Sequence, residues 1–456
     1  MSYQTAVEQM FELGHELAQT PAHKFDLAHM RVLLAALGNP EQSFPSVLVA
    51  GTNGKGSTCA TLAAILQASG VKTALYTSPH LIRINERIRF DGKPISDEDF
   101  DLVHDKVEQA AQHLVEDGRL PWHPSFFEML TAMAFLHFAL NRPEMAVLEV
   151  GMGGRLDATN VVEPRLSIVT DISLDHQKYL GETIGEIARE KAGIIRPKGV
   201  VVTLPQMPEA NDVIGNTILD LGARAINAVP YVPPVSPASS TTLNETEHAV
   251  ARNRYPLDVM GSQIVIDSPL PGRHQLRNVA LAIAAAEELR RQGLESITAQ
   301  TIERGIRETD WPGRFQVIPA GIGHPEYVLD VAHNPAGAWA LRSTLSARYE
   351  AQLDQGHVTI VFGVMRDKAV REIVEILFPL AAHVVVTHAD NPRSATTEEI
   401  RAAASRSIDP GLIETAPEVA MALDRARELA GSKGVVVVTG SIYVVGEAMR
   451  ILGVRI

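Results

Sequence analysis

The 456-residue chain has a single cysteine, a deficit of positive charge and no long uninterrupted apolar run, and each shortage excludes something. Cys59 alone forms neither a disulfide within the chain nor a cysteine-based structural zinc site, and it fits a reducing compartment. No apolar stretch nears the roughly 18 residues of a membrane span. The N-terminal MSYQTAVEQMFELGHEL places Glu8, Glu12 and Glu16 among its apolar residues, unlike a signal peptide, so a cytoplasmic protein is expected. Lysine and arginine number 41 against 54 acids, a formal net charge of −13 that repels nucleic acid and anionic lipid. Such a field still tolerates a small polyanion held by local N–H groups and a cation. With 45% hydrophobic residues and no internal repeat, the chain reads as two or three globular domains.

What is present is a recurring unit: a short β-branched run, a polar or glycine-rich corner, then a helical pattern. SVLVA (46–50), TALYT (73–77), MAVLEV (145–150), LSIVT (166–170) and GVVVT (199–203) mark the first part. YVLDV (327–331), VTIVF (358–362), HVVVT (383–387) and GVVVVT (434–439) mark the last third. Continuous apolar strands separated by helices belong to parallel sheets covered on both faces, so α/β architecture is expected twice. A β insertion is expected at about 225–262, where AVPYVPPVSPASSTT is rich in turn formers. TDWPGRF interrupts two helical patterns and sets the boundary between residues 1–308 and 309–456. Ligands of open parallel sheets gather at the carboxyl ends of the strands, where the unusual residues of this chain recur.

After SVLVA comes Gly51-Thr52-Asn53-Gly54-Lys55-Gly56-Ser57-Thr58 and then a helical run. Glycines let N–H groups turn toward an anion, the helix N-terminus adds positive potential, and Lys55 adds a full charge. Ser57 is placed to offer a hydroxyl to Mg²⁺. The loop departs from the common G-x-x-x-x-G-K-[ST] pattern, because Gly56 separates Lys55 from Ser57 and Val49 stands where the first glycine would be. Glu149 ends an apolar strand, where it serves either as a Mg²⁺ ligand or as a solvated acid. His176 follows the LSIVT strand, and a satisfied loop histidine would look the same. Asn278 fits a nucleotide contact or a helix cap. Asp330 and His333, before Asn334-Pro335, fit metal or acid–base chemistry or an N-cap. Ser441 fits a carboxylate site or a simple N-cap.

The loop GTNGKGS resembles that of the folylpolyglutamate synthase and dihydrofolate synthase family, relatives of the Mur ligases. SPHLIRINERI (78–88), LEVGMGGRLDATN (148–160), DISLDHQKYLG (171–181), EKAGIIRP (190–197), LPGRHQLRNVALA (270–282), WPGRF (311–315), DVAHNPAG (330–337) and TGSIYVVGEA (439–448) follow in the family's order. The resemblance implies a P-loop ATPase domain with a mainly parallel sheet plus a smaller C-terminal Rossmann-like α/β domain. It implies ATP and Mg²⁺, with Thr52 to Thr58, Asn278, Arg314 and Asp330 at the nucleotide, and Ser57, Ser78, Glu149 and His176 on magnesium. Lys191, which helix composition alone would leave on the surface, becomes a CO₂-carbamylated lysine supporting a second metal. His333 and Ser441 would meet L-glutamate. Asp157 and Asn160 would border a dihydropteroate or folate acceptor, with Phe126 and Phe127 nearby unless these are core. The reaction implied is amide formation through an acyl phosphate, by a monomer without nucleic acid or membrane partners. Arg273 also lies near the junction, and Arg366, Asp367, Asp390 and Arg393 lie at expected strand ends without assigned roles.

Three other readings compete. A P-loop switch or transport ATPase would leave the second domain and DVAHNP unexplained. A nicotinamide oxidoreductase would want G-x-G-x-x-G, whereas Gly151-Met152-Gly153-Gly154-Arg155-Leu156 lacks the last glycine. Another Mur-type ligase normally carries a further N-terminal domain, and only about 45 residues precede the first strand here.

Overall fold

The computed structural model describes residues 2–14, 26–234, 252–404 and 408–454. The chain divides into two compact units: Met1–Pro233, Tyr255–Asp267 and Arg277–Thr309 form one, and Pro234–Arg254, Ser268–Leu276 and Asp310–Ile456 the other.

The first unit holds β1 (Ser46–Ala50), β2 (Thr73–Tyr76), β3 (Ile88–Phe90), β4 (Lys93–Pro94), β5 (Met145–Glu149), β6 (Leu166–Val169), β7 (Val200–Thr203) and β8 (Arg224–Asn227). They form one sheet in the order β4-β3-β2-β5-β1-β6-β7-β8. β1 lies between β5 and β6, parallel to both. β3 and β4 run antiparallel at one edge. Every residue of β1 is buried because helices cover both faces. Leu48 and Ala50 join one core with Met129 and Phe135; Val47 and Val49 join the other with Leu62 and Leu66. The run SVLVA therefore carries no polar alternation. The β-rich stretch expected at about 225–262 divides differently. Residues 224–227 are the eighth strand of the main sheet, added parallel to β7. The hairpin of β9 (Asn253–Val259) and β10 (Ser262–Ser268) follows, burying Val259, Ile264 and Ile266. Residues 235–251 of that stretch lie outside the described residues.

The second unit holds β11 (Gln316–Ile318), β12 (Glu326–Leu329), β13 (Val358–Phe362), β14 (His383–Val386), β15 (Ile413–Thr415) and β16 (Val435–Thr439). Their order is β11-β12-β16-β13-β14-β15. All neighbours are parallel except β11, which pairs antiparallel with β12. β16 returns between β12 and β13 and runs parallel to both, so the segments that follow β12 and β16 leave neighbouring carboxyl ends of the sheet. Asp330, His333 and Ser441 follow these two strands. Among the described residues, no helix is long and apolar enough to cross a membrane.

Candidate active site

In the first unit the helix Lys55–Ala68 starts directly after the loop that follows β1. Gly54 caps it at φ +87°, a region costly for any side chain. A Cβ there would also stand 2.1 Å from Oδ1 of Asn278, so Asn278 lies against the turn of the loop. Lys55 Nζ donates to the carbonyls of Gly51 (3.1 Å) and Thr52 (3.2 Å). Lys191 Nζ donates to the same Gly51 carbonyl at 2.8 Å. Lys191 is 4% exposed, which corrects the surface position that its helix composition favours. Its helix, Ile184–Ala192, buries Ile187, Ala188, Lys191 and Ala192 as one face. Two ammonium groups thus converge on one carbonyl and concentrate positive charge where β1 ends.

Thr52 and Asn53 brace the loop. Both donate their backbone N–H to the Asp171 carbonyl, at 2.8 and 3.1 Å. The Thr52 hydroxyl donates to the Ser173 carbonyl (3.0 Å), and Asn53 Nδ2 donates to Ser173 Oγ (3.0 Å). These two residues tie the loop to the segment after β6, and the first helical turn follows with amides that have no intrahelical partner. Ser57 and Thr58 are buried there, and the Thr58 hydroxyl has no hydrogen-bond partner among the described residues.

Glu149, at the end of β5, is 4% exposed and accepts the Ser78 N–H at 3.2 Å. Burial raises the Cys59 thiol well above its ordinary value; the Glu149 charge adds to this and Lys55 opposes it, which places both charges within reach of that helix. His176 has φ +51° and caps the short helix Gln177–Leu180, with Nε2 3.9 Å from Asp175. The oxygens of Ser57, Ser78 and Glu149 are hard donors of the kind Mg²⁺ takes. Among the described residues no three His, Cys, Asp or Glu side chains gather to hold a metal alone.

Asp157 and Asn160 face inward. Asp157 accepts from the backbone N–H of Met152 (2.9 Å) and Thr159 (3.0 Å) and from the Thr159 hydroxyl (2.6 Å). Burial raises its carboxyl above the ordinary value, against the pull of those bonds. Asn160 Nδ2 donates to the Arg155 and Gly193 carbonyls, both 3.1 Å, and its Oδ1 accepts from Arg196 (2.9 Å). They shape the loop after β5 from within rather than presenting groups from its surface. Phe126 is core, stacked on Phe11 at 6.0 Å. The Phe127 ring lies where a Cβ on Gly151 would be, 2.5 Å from its Cζ.

In the second unit, Asp330 is buried and accepts the N–H of Phe315 (2.8 Å) and of Ala332 (2.9 Å). Burial raises its carboxyl, opposed by the Ala332 N–H, Arg314, the Phe315 N–H and His333. Asp330 therefore ties WPGRF to the end of β12. The Arg314 guanidinium lies 5.8 Å over the Trp311 ring. His333 Nδ1 is 2.9 Å from the Val331 carbonyl. Asn334 caps the helix Pro335–Arg348 by accepting the Gly337 N–H at 2.8 Å. Ser441, 2% exposed, caps Ile442–Ile451 by accepting the Tyr443 N–H at 3.2 Å. Arg366, Asp367 and Arg393 form a surface cluster through Arg393–Asp367 (2.9 Å) and Arg366–Glu399 (3.2 Å).

Three residues at the loop were missed in the sequence: Asp171, Ser173 and Arg277. All three lie inside motifs that carry the resemblance, DISLDH and GRHQLRN, so the spacing was visible while the contacts were not.

Residues 49–286 match the Mur ligase middle domain, and residues 313–442 match the Mur ligase glutamate ligase domain. The dihydrofolate synthase/folylpolyglutamate synthase of Bacillus subtilis is 33% identical over 429 residues, 93% of this chain and 94% of that protein. A probable bifunctional folylpolyglutamate synthase/dihydropteroate synthase of Haloferax volcanii is 36% identical over 455 residues. That match takes in 98% of this chain, which spans 50% of the Haloferax protein. The Mycobacterium tuberculosis folylpolyglutamate synthase structure, complexed with ADP and AMPPCP, superposes with a TM-score of 0.81 at 32% identity, over 99% of both chains. The chain belongs to the folylpolyglutamate synthase and dihydrofolate synthase family of Mur ligases.

Proposed function

We propose that this chain is an ATP-dependent carboxylate–amine ligase that adds L-glutamate to dihydropteroate, to the γ-carboxylate of a folate, or to both, releasing ADP and phosphate. The observation that carries it is the burial of Lys191 against the phosphate loop: a plain NTPase loop needs Lys55 alone, whereas this one has a second lysine on the Gly51 carbonyl.

A carboxylate does not condense with an amine at neutral pH, because oxide is too poor a leaving group. The acceptor carboxylate oxygen first attacks the γ-phosphorus of ATP, the bond to the β-phosphate oxygen breaks, and ADP leaves behind an acyl phosphate. The glutamate amine, unprotonated, then attacks the acyl carbon, the C–O bond breaks, phosphate departs and the new amide nitrogen loses its proton. Lys55 and the amides of Gly54 to Ser57 hold the phosphates as charge shifts among their oxygens. Ser57, Ser78, Glu149 and His176 would hold Mg²⁺, which would supply further neutralisation of the phosphate charge. Lys191 would act as its carbamate: the ammonium loses one proton, the free amine nitrogen bonds the carbon of CO₂ and loses a second, and the cation beside Gly51 becomes a carboxylate that would support a second metal. Asn278, Arg314 and Asp330 belong to the nucleotide, with Arg314 meeting the transferred phosphoryl. His333 and Ser441 hold glutamate. Asp157 and Asn160 shape the loop that borders the acceptor. The residue ranges 1–308 and 309–456 divide nucleotide and amino-acid binding between two domains. The protein works as a cytoplasmic monomer on small molecules, without nucleic acid.

Purified protein with ATP and glutamate, given dihydropteroate and reduced folate in parallel, tests the acceptor. A glutamylated product from at least one is expected, and none from either overturns the reading.

A further inference from the structure

The phosphate loop is held from behind by a strut whose outer end is an arginine. The Asp171 carbonyl accepts the N–H groups of Thr52 and Asn53, and Asn53 and Asp171 form an isolated β-bridge. Two residues on, Ser173 exchanges hydrogen bonds with Thr52: its N–H donates to the Thr52 hydroxyl (3.1 Å), which donates to its carbonyl (3.0 Å). The segment 170–173 therefore sets the course of the first half of the loop. That segment has its own anchors. Gln206 accepts the Ile172 N–H (3.0 Å) and donates to the Thr170 carbonyl (3.3 Å). Arg277 grips the Asp171 carboxylate with two nitrogens, Nε at 2.9 Å from Oδ1 and 3.0 Å from Oδ2, and Nη2 at 2.5 Å from Oδ1. Its Nη2 also donates to the Pro205 carbonyl at 2.8 Å. The next residue along its helix is Asn278, whose Oδ1 lies against Gly54. One helix thus reaches the loop twice, through Asn278 at its turn and through Arg277 and Asp171 at its base.

We infer that Arg277 is a positioning residue for nucleotide binding, acting through Asp171. It fixes the backbone that carries Thr52 and Asn53, and it neutralises a carboxylate that would otherwise set a negative charge beside a triphosphate site. The inference rests on the nucleotide reading of the loop. The pair is about one-third exposed on each side, at 31% and 35%, so it contributes little to folding stability. Its weight falls on the geometry and potential of the loop, where small displacements are felt strongly.

The test uses the full-length chain with Arg277→Ala, Asp171→Asn and the double variant, and measures ATP affinity by calorimetry and the KM values for ATP and glutamate. Arg277→Ala weakens ATP binding about 10- to 100-fold. It leaves the KM for glutamate near wild type, and its ATP defect shrinks at high salt because part of it is charge repulsion. Asp171→Asn has a smaller effect, and the double variant binds ATP better than Arg277→Ala, since the uncompensated charge is gone. Unchanged ATP affinity in Arg277→Ala, or a double variant as weak as that single one, overturns the inference. Should Arg277→Ala fail to fold, Asp171→Asn decides: wild-type ATP affinity with no change in salt dependence overturns it. A wild-type chain that binds no ATP sinks the nucleotide reading as well, whereas one that binds ATP normally while Arg277→Ala is unaffected sinks this inference alone.

Discussion

Replacing Lys55 by alanine removes the one charged side chain of GTNGKGST and leaves Gly51 with Lys191 alone. ATP turnover should fall by at least about 10²-fold, the loss typical of a deleted charge-stabilising group; turnover near wild type would remove the phosphate-loop assignment. Lys191→Ala should lose activity and regain part of it with short carboxylic acids, because a carbamate contributes a carboxylate that a small acid can replace; absence of rescue would contradict that role. These two lysines differ in how far the sequence reveals them. Lys55 follows a strand and glycines and opens a helix, a local pattern that declares an anion site. Lys191 sits among charged neighbours in IGEIAREKA, and its burial depends on how that helix packs across the loop, which no local pattern encodes. Thr52 and Asn53 read as nucleotide contacts from the same local pattern, while their tertiary bonds to residues 171–173 were not visible in it.

Elements follow the same division. Each long β-branched run became a strand, because a buried central strand needs nothing but its own residues to mark it. β3, β4, β11 and β15 are two or three residues long and lie toward sheet edges, where neighbours rather than composition make the strand. Packing between elements gives its own test at Gly305, in the helix Ala299–Arg307. A Cβ there would stand 2.4 Å from Ile65 Cα and 2.6 Å from Ile65 N, backbone atoms that cannot swing aside. Gly305→Ala should lower stability by about 1–3 kcal/mol in urea unfolding, and a neutral result would contradict that close approach. The entry to the helix Phe126–Asn141 gives a pH test. His123 Nε2 lies 3.1 Å from Glu108 Oε2. The Glu108 carboxylate raises His123 above its ordinary 6.5, and His123 lowers Glu108 below its ordinary 4.5. The histidine's share of stability is complete below 6.5 and lost as pH rises through its raised value. The glutamate's share is complete above 4.5 and lost as pH falls through its lowered value. Both describe one half-buried pair, so the increment, on the order of 0.5–1 kcal/mol, should be largest between those limits. His123→Gln should flatten it in melts across pH, and an unchanged profile would contradict the pairing.

For the whole molecule, two α/β units each open a polar corner at the carboxyl ends of their strands: Lys55, Lys191 and Glu149 in one, Asp330, His333 and Ser441 in the other. The division of labour proposed for them predicts that His333→Ala raises the KM for glutamate, by about tenfold, more than the KM for ATP; the reverse ranking would contradict it. The architecture was legible because it repeats one pattern nine times, and the order of the motifs gave the family. The hydrogen bonds that turn Asp157, Asn160 and Asp330 toward their own backbones were not, since each residue type serves equally well as a ligand or as a brace. The most direct measurement is ADP release by the purified chain with ATP, Mg²⁺ and a pteroate or folate acceptor, followed with and without L-glutamate. Sustained release that requires glutamate, matched mole for mole by acceptor bearing one more glutamyl residue, is the predicted result. Release at the same rate without glutamate, with the acceptor unchanged, would contradict it.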